Sequence, residues 1–170
     1  MQTRRDFLRV LTTATLATAT SGAWARDTVD LDWSDLIPAG DMATLMRDLR
    51  GLGVVQHGEL STGFEQAEAG GVTEAFNGQT VRIPGFVVPL DFSATGVTTF
   101  ILAPFVGACI HVPPPPANQL VLVTARKPYE LVDMFDAVEV TGVFGTAATS
   151  TDLAEIGYTI EDAKVRAYKG

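Results

Sequence analysis

Apolar and polar residues alternate in several short stretches of the C-terminal half of this chain, and each stretch reads as a β-strand. Val81-Arg82-Ile83 alternates, is interrupted by Pro84-Gly85, and resumes as Phe86-Val87-Val88-Pro89-Leu90. A Pro-Gly pair inside such a pattern predicts a bulge at which the strand bends sharply. Thr98 to Ala103 is the second strand, Gln119 to Thr124 the third, and Ala137 to Thr146 the fourth, with Val138, Val140, Gly142 and Phe144 on one face. The fifth runs from Tyr158 to Tyr168, with Ile160, Ala163, Val165 and Ala167 as inward positions, and Asp152 to Ile156 before it is expected to form one helical turn. Five strands, the first long and bulged, suit a small closed barrel better than an open sheet. The expected fold is mainly β: a five-stranded OB-like barrel (the oligonucleotide/oligosaccharide-binding architecture), with a β-sandwich as the alternative.

Ahead of the strands the period changes. Met42, Leu45, Met46, Leu49 and Leu52 recur at helical spacing behind Asp41, a good N-cap, and Gly51 and Gly53 provide the stop. One or two short N-terminal helices are therefore expected, with the methionines as core filling. Residues 26–40 are acidic and irregular. Residues 56–78 read as a loop whose glutamates, Glu59, Glu65, Glu68 and Glu74, form a solvated surface.

The first 25 residues follow a different logic. Arg4-Arg5-Asp6-Phe7-Leu8-Arg9 has the form of a twin-arginine address. A weakly apolar, threonine-rich stretch from Val10 to Ser21 follows, then Ala23-Trp24-Ala25, small residues at the positions a signal peptidase requires. The apolar run is too short to span a bilayer, which takes about 20 apolar residues. The only cysteine, Cys109, is far from the cleavage site, so a lipid anchor is not expected. The organisation predicted is a signal peptide over 1–25, an acidic segment with a short helix over 26–76, and a β domain over 77–170, in a periplasmic protein cleaved near Ala25.

Charge narrows the function. The chain carries a net −8, and removing a leader of net +2 leaves about −10. That balance opposes binding to nucleic acid or anionic membrane surfaces, where phosphate neutralisation by basic residues supplies most of the affinity. A single cysteine in an oxidising compartment cannot form an internal disulfide. Cys109 is then a buried apolar residue, a ligand or a reactive thiol.

The segment that carries chemistry is Pro104-Phe105-Val106-Gly107-Ala108-Cys109-Ile110-His111-Val112-Pro113-Pro114-Pro115-Pro116-Ala117-Asn118-Gln119. If Cys109 to His111 is extended, positions i and i+2 share a face about 6–7 Å apart, and both can reach one metal ion. A thiolate with an imidazole suits zinc, or copper as the alternative, rather than calcium or magnesium. Two ligands make half of a tetrahedral site. The remainder would come from His57, a carboxylate, water or another protein, an arrangement suited to transfer. Buried free cysteine is also a common core residue, which is the plain alternative. A Cys109 nucleophile activated by His111 is the weaker reading, because side chains at i and i+2 of a strand rarely meet in hydrogen-bonding geometry. No catalytic residue is assigned. The prolines form a stiff polyproline II rod, either as scaffold or, with Asn118 and Gln119, as a docking surface made of Pro113, Pro114, Pro115 and Pro116.

The run from Gly107 to Pro116 with Asn118-Gln119 resembles a family of small exported bacterial proteins of unknown biochemical function. Trp33 with Leu36-Ile37-Pro38, the Ile83–Leu90 strand, and Val140-Thr141-Gly142 leading into Val143 share in the resemblance, which covers nearly all of the mature chain. It implies an association of some members with ABC-type transport systems that respond to zinc limitation. The function expected is a non-enzymatic periplasmic module that handles a transition metal or assists an ABC transporter or a periplasmic metal-binding protein. A metal-free interaction module is the alternative, and a thiol enzyme the second.

Overall fold

The computed structural model describes residues 27–38, 66, 71–91, 95–106, 114–133 and 135–169. The expected helix over 42–52 lies outside them, as do Cys109, His111, His57 and Pro113. The described chain is mainly β, a six-stranded mixed sheet with almost no helix. Strand β1 (Val29–Asp30) is followed by a 3-10 turn at Trp33–Leu36. Then come β2 (Thr80–Pro89), β3 (Val97–Ala103), a second 3-10 turn at Ala117–Gln119, β4 (Val121–Tyr129), β5 (Ala137–Ser150) and β6 (Glu155–Ala167). The order is β1-β2-β3-β4-β6-β5, and β2 also pairs with β5. Only β1–β2 and β4–β6 are parallel.

Strand β2 reaches both neighbours by changing partner along its length. Thr80 to Phe86 face β5, ending with Phe86 opposite Ala137, and Phe86 to Pro89 face β3, beginning with Phe86 opposite Ala103. The expected bulge at Pro84-Gly85 is absent: the register against β5 is continuous through both residues. What the pair supplies is closeness. A Cβ on Gly85 would lie 2.7 Å from Leu102 Cγ and 2.9 Å from the Ala103 carbonyl, so only glycine lets β3 approach where the handover occurs. Pro84 has no N–H to lose from the ladder, and its carbonyl accepts the Trp33 indole N–H at 2.8 Å.

The alternation read from the sequence faces one interior. Val81, Ile83 and Val87 from β2, Phe100 and Leu102 from β3, Val121 and Val123 from β4, and Val138, Val140 and Phe144 from β5 are buried together. In β6 the inward set is Tyr158, Ile160 and Ala163, with Val165 half-buried and Ala167 exposed. The step of three from Ile160 to Ala163 is explained by Asp162 at φ 51, where the register against both neighbours shifts and the pleat changes parity. The helical turn expected at Asp152–Ile156 is instead a tight hairpin. Ser150 pairs with Glu155, and Thr151 exchanges bonds with Ala154 through its backbone N–H and its hydroxyl. A side chain that satisfies its own turn backbone competes with helix there.

The acidic N-terminal segment is part of the same core. Leu31 and Leu36 are buried with the strand residues, each contributing on the order of 1.5–3 kcal/mol of transfer free energy. Its charges stay outside: Asp30 pairs with Arg82 at 3.0 Å with both side chains largely exposed, a contact of small energetic weight.

Candidate functional site

The third strand was expected to begin at Gln119; in fact the chain makes a 3-10 turn over Ala117–Gln119 and the strand starts at Val121. Pro114, Pro115 and Pro116 are buried, Asn118 is 2% exposed and Gln119 5%. These proline rings and amides therefore meet this chain and do not offer the exposed face that a partner's groove would take.

Their burial creates a problem of hydrogen bonding that the surrounding chain solves. Consecutive prolines carry carbonyl acceptors and no N–H donors. The Gln66 amide donates to the Pro115 carbonyl at 2.7 Å and to the Glu155 carbonyl at 2.8 Å, while its oxygen accepts the Glu155 N–H at 2.7 Å. The Pro116 carbonyl accepts the Gln119 N–H at 2.8 Å. Gln119 Nε2 donates to the Trp33 carbonyl at 3.1 Å and to the Asn118 carbonyl at 2.8 Å. Asn118 Nδ2 donates to the Gly71 carbonyl at 3.0 Å. Three separated parts of the sequence, near residues 33, 66 and 71, thus close on one six-residue stretch, and Glu155 holds Gln66 in place.

Strand β6 forms the floor. A Cβ on Gly157 would meet the Ala117 carbonyl at 2.8 Å and Val72 Cγ1 at 2.8 Å, so the turn rests directly on the strand. Next to it the Tyr158 ring packs on Phe144, with centroids 5.1 Å apart, and its hydroxyl donates to the Leu36 carbonyl at 2.6 Å and accepts the Thr73 N–H at 2.7 Å. Burial pushes this phenol above its ordinary range, so it stays protonated and keeps its donor role.

One atom is left over. Asn118 Oδ1 is buried and has no hydrogen-bond donor, the single such side-chain atom among the described residues. A buried acceptor without a partner costs on the order of 1–3 kcal/mol. A donor from a water or a ligand at this atom would remove that cost. Among the described residues no three His, Cys, Asp or Glu side chains converge in a metal-binding group.

Of the residues singled out from the sequence, the structure brings Pro114, Pro115, Pro116, Asn118 and Gln119 together. The residues that hold them, Trp33, Gln66, Gly71 and Gly157, are not among the candidates the sequence offers. Trp33 stands out in the sequence only through the family resemblance, and nothing local to Gln66 or Tyr158 announces a partner 89 or 122 positions away.

Residues 33–167 match the family described as protein of unknown function, DUF3299. The chain belongs to this family. It is also similar to a solved structure, the crystal structure of a DUF3299 family protein from Pseudomonas aeruginosa PAO1, with 33% identity and a TM-score of 0.68, over 85% of this chain and 98% of that one. A comparison with curated proteins finds no match. The matched region of the DUF3299 family begins at Trp33, the residue whose carbonyl holds Gln119 and whose indole holds Pro84, so the region includes the N-terminal turn that closes the site.

Proposed function

We propose that this protein is a non-enzymatic, periplasmic binding module that handles a transition metal, zinc before copper, through Cys109 and His111, and passes it to or from a partner such as an ABC-type transporter. The observation that carries this reading is the clamped stretch from Pro114 to Gln119. The Pro115 carbonyl and the Asn118 and Gln119 amides are each tied to a distant segment, which is the way a protein anchors the end of a ligand-bearing stretch. His111 precedes Pro114 by three residues, so connectivity alone keeps it within about 11 Å of this anchor. The unpartnered Asn118 oxygen supports a polar ligand or water in the same neighbourhood.

Two further parts of the reading stand on their own support. The twin-arginine form of residues 1–25 favours export of a folded domain. The route of pairing from β2 through β3, β4, β6 and β5 back to β2, with β4 and β6 parallel, supports an OB-like barrel.

The test is metal content. The mature protein, purified without oxygen and loaded with zinc or copper, is measured by mass spectrometry beside Cys109→Ser and His111→Ala. About one equivalent in the wild type and a loss in both variants is the expected result. Equal and negligible loading of all three sinks the metal reading and favours the metal-free interaction module.

A further inference from the structure

Strands β4 and β6 run in parallel register from Val121 opposite Tyr158 to Ala125 opposite Ala163. Beyond that point a cleft of about 450 Å³ opens, lined by Arg126, Lys127, Pro128, Tyr129, Ala163, Lys164 and Val165. Three of the chain's 12 lysines and arginines lie on these walls, and among the described residues no carboxylate lines them, Asp162 standing beside Arg126 at the rim. In a protein of net −8 this is a local reversal of sign.

Two of the three charges have no acidic partner among the described residues. Arg126 is engaged by the Asp162 carboxylate, with Nε to Oδ1 at 2.5 Å and a second contact through its terminal nitrogen. That pairing fixes the guanidinium plane and leaves its other N–H groups unused. Lys127 and Lys164 are exposed, one on each wall, and neither has a carboxylate partner among the described residues. The back of the cleft is apolar: Ala163 is buried, Val165 is half-buried, and the Tyr129 ring packs against the core with its hydroxyl 3.5 Å from Asp136. Two exposed lysines from different strands beside an apolar floor, in a volume within the range of small-molecule sites, suit a compact ligand with anionic oxygens and a less polar middle.

We infer that the cleft between the diverging ends of β4 and β6 is a binding site for a small polyvalent anion bearing phosphate or carboxylate groups, held by Lys127 and Lys164 with Arg126 positioned by Asp162. This site is separate from the Pro114–Gln119 anchor and does not depend on a metal.

The experiment is an amide-shift titration of the mature protein at low salt with pyrophosphate, with citrate, and with glycerol as a neutral control. Expected are saturable shifts at residues 126–129 and 163–165 for at least one anion and none for glycerol. In the Lys127→Gln/Lys164→Gln double variant the apparent affinity falls at least tenfold. These side chains are solvent-exposed, so an unchanged spectrum elsewhere confirms that the fold is kept. Preference for pyrophosphate assigns phosphate, and preference for citrate assigns carboxylate. Absence of saturation with both anions, or equal affinity in the double variant, overturns the proposal. Cys109→Ser leaves the titration unchanged, which separates its outcome from that of the metal test.

Discussion

The Tyr158 hydroxyl donates to the Leu36 carbonyl at 2.6 Å and joins the first part of β6 to the N-terminal 3-10 turn. It also accepts the Thr73 N–H, so one phenolic oxygen satisfies a donor and an acceptor from two different segments. Tyr158→Phe keeps the ring on Phe144 and removes only this oxygen, leaving both backbone groups unpaired. The expected loss is about 1–3 kcal/mol of unfolding free energy, the range for orphaning buried polar groups. Urea denaturation of both proteins checks this, and a loss below a few tenths would show that water replaces the oxygen.

Gly85→Ala tests the handover of β2 between its two partners. The new methyl would sit 2.7 Å from Leu102 Cγ and 2.9 Å from the Ala103 carbonyl. Overpacking of this kind costs about 1–3 kcal/mol. Because the Ala103 carbonyl is backbone, relief requires β3 to move. Thermal unfolding with faster amide exchange over residues 100–103 is the expected signature, whereas a variant as stable as wild type would mean that the strands separate there at no cost.

Asn118 and Gln119 are adjacent and both buried, yet they predict unequal losses. Asn118→Ala removes the bond to Gly71 but also removes an oxygen that has no partner. Gln119→Ala removes the donor to the Trp33 carbonyl and to the Asn118 carbonyl and gains nothing. The Gln119 variant is expected to lose about 1–3 kcal/mol and the Asn118 variant less, on the order of 1 kcal/mol. Parallel denaturation curves decide it, and the reverse ranking would indicate that Asn118 Oδ1 holds an ordered water.

Acid stability has an identifiable contributor in Asp91. Its carboxylate accepts the Thr98 hydroxyl and the N–H groups of Thr98 and Thr99, both at 2.9 Å. These bonds, the Thr98 hydroxyl first, hold its pKa below the ordinary 3.8. A group depressed in the folded state stabilises above its unfolded pKa, and that stability is lost as pH falls through the folded pKa. Wild type should therefore lose stability below about pH 4, and Asp91→Asn should show a shallower loss over that window. Denaturation midpoints measured from pH 5 downward report the difference; parallel profiles would exclude Asp91 as a contributor.

The sequence by itself determined five of the six strands and, apart from Ala167 at the end of β6, most of the residues in them that face inward. The reason is local: a strand with one buried face must alternate, so Val138, Val140, Gly142 and Phe144 declare their side without knowledge of any neighbour. The run from Cys109 to Gln119 was equally visible as chemistry, because stacked prolines and paired amides are rare whatever surrounds them. Tertiary structure alone decided that β2 changes partner at Phe86, that Asp162 reverses the pleat of β6, and that Gln66, Trp33 and Gly71 converge on the prolines. It also decided that Lys127 and Lys164, separated by 36 intervening residues of an acidic chain, line one cleft. Those relationships have no local period. They arise where buried carbonyls, close backbones and facing charges must be satisfied by whichever distant segment the sheet brings alongside.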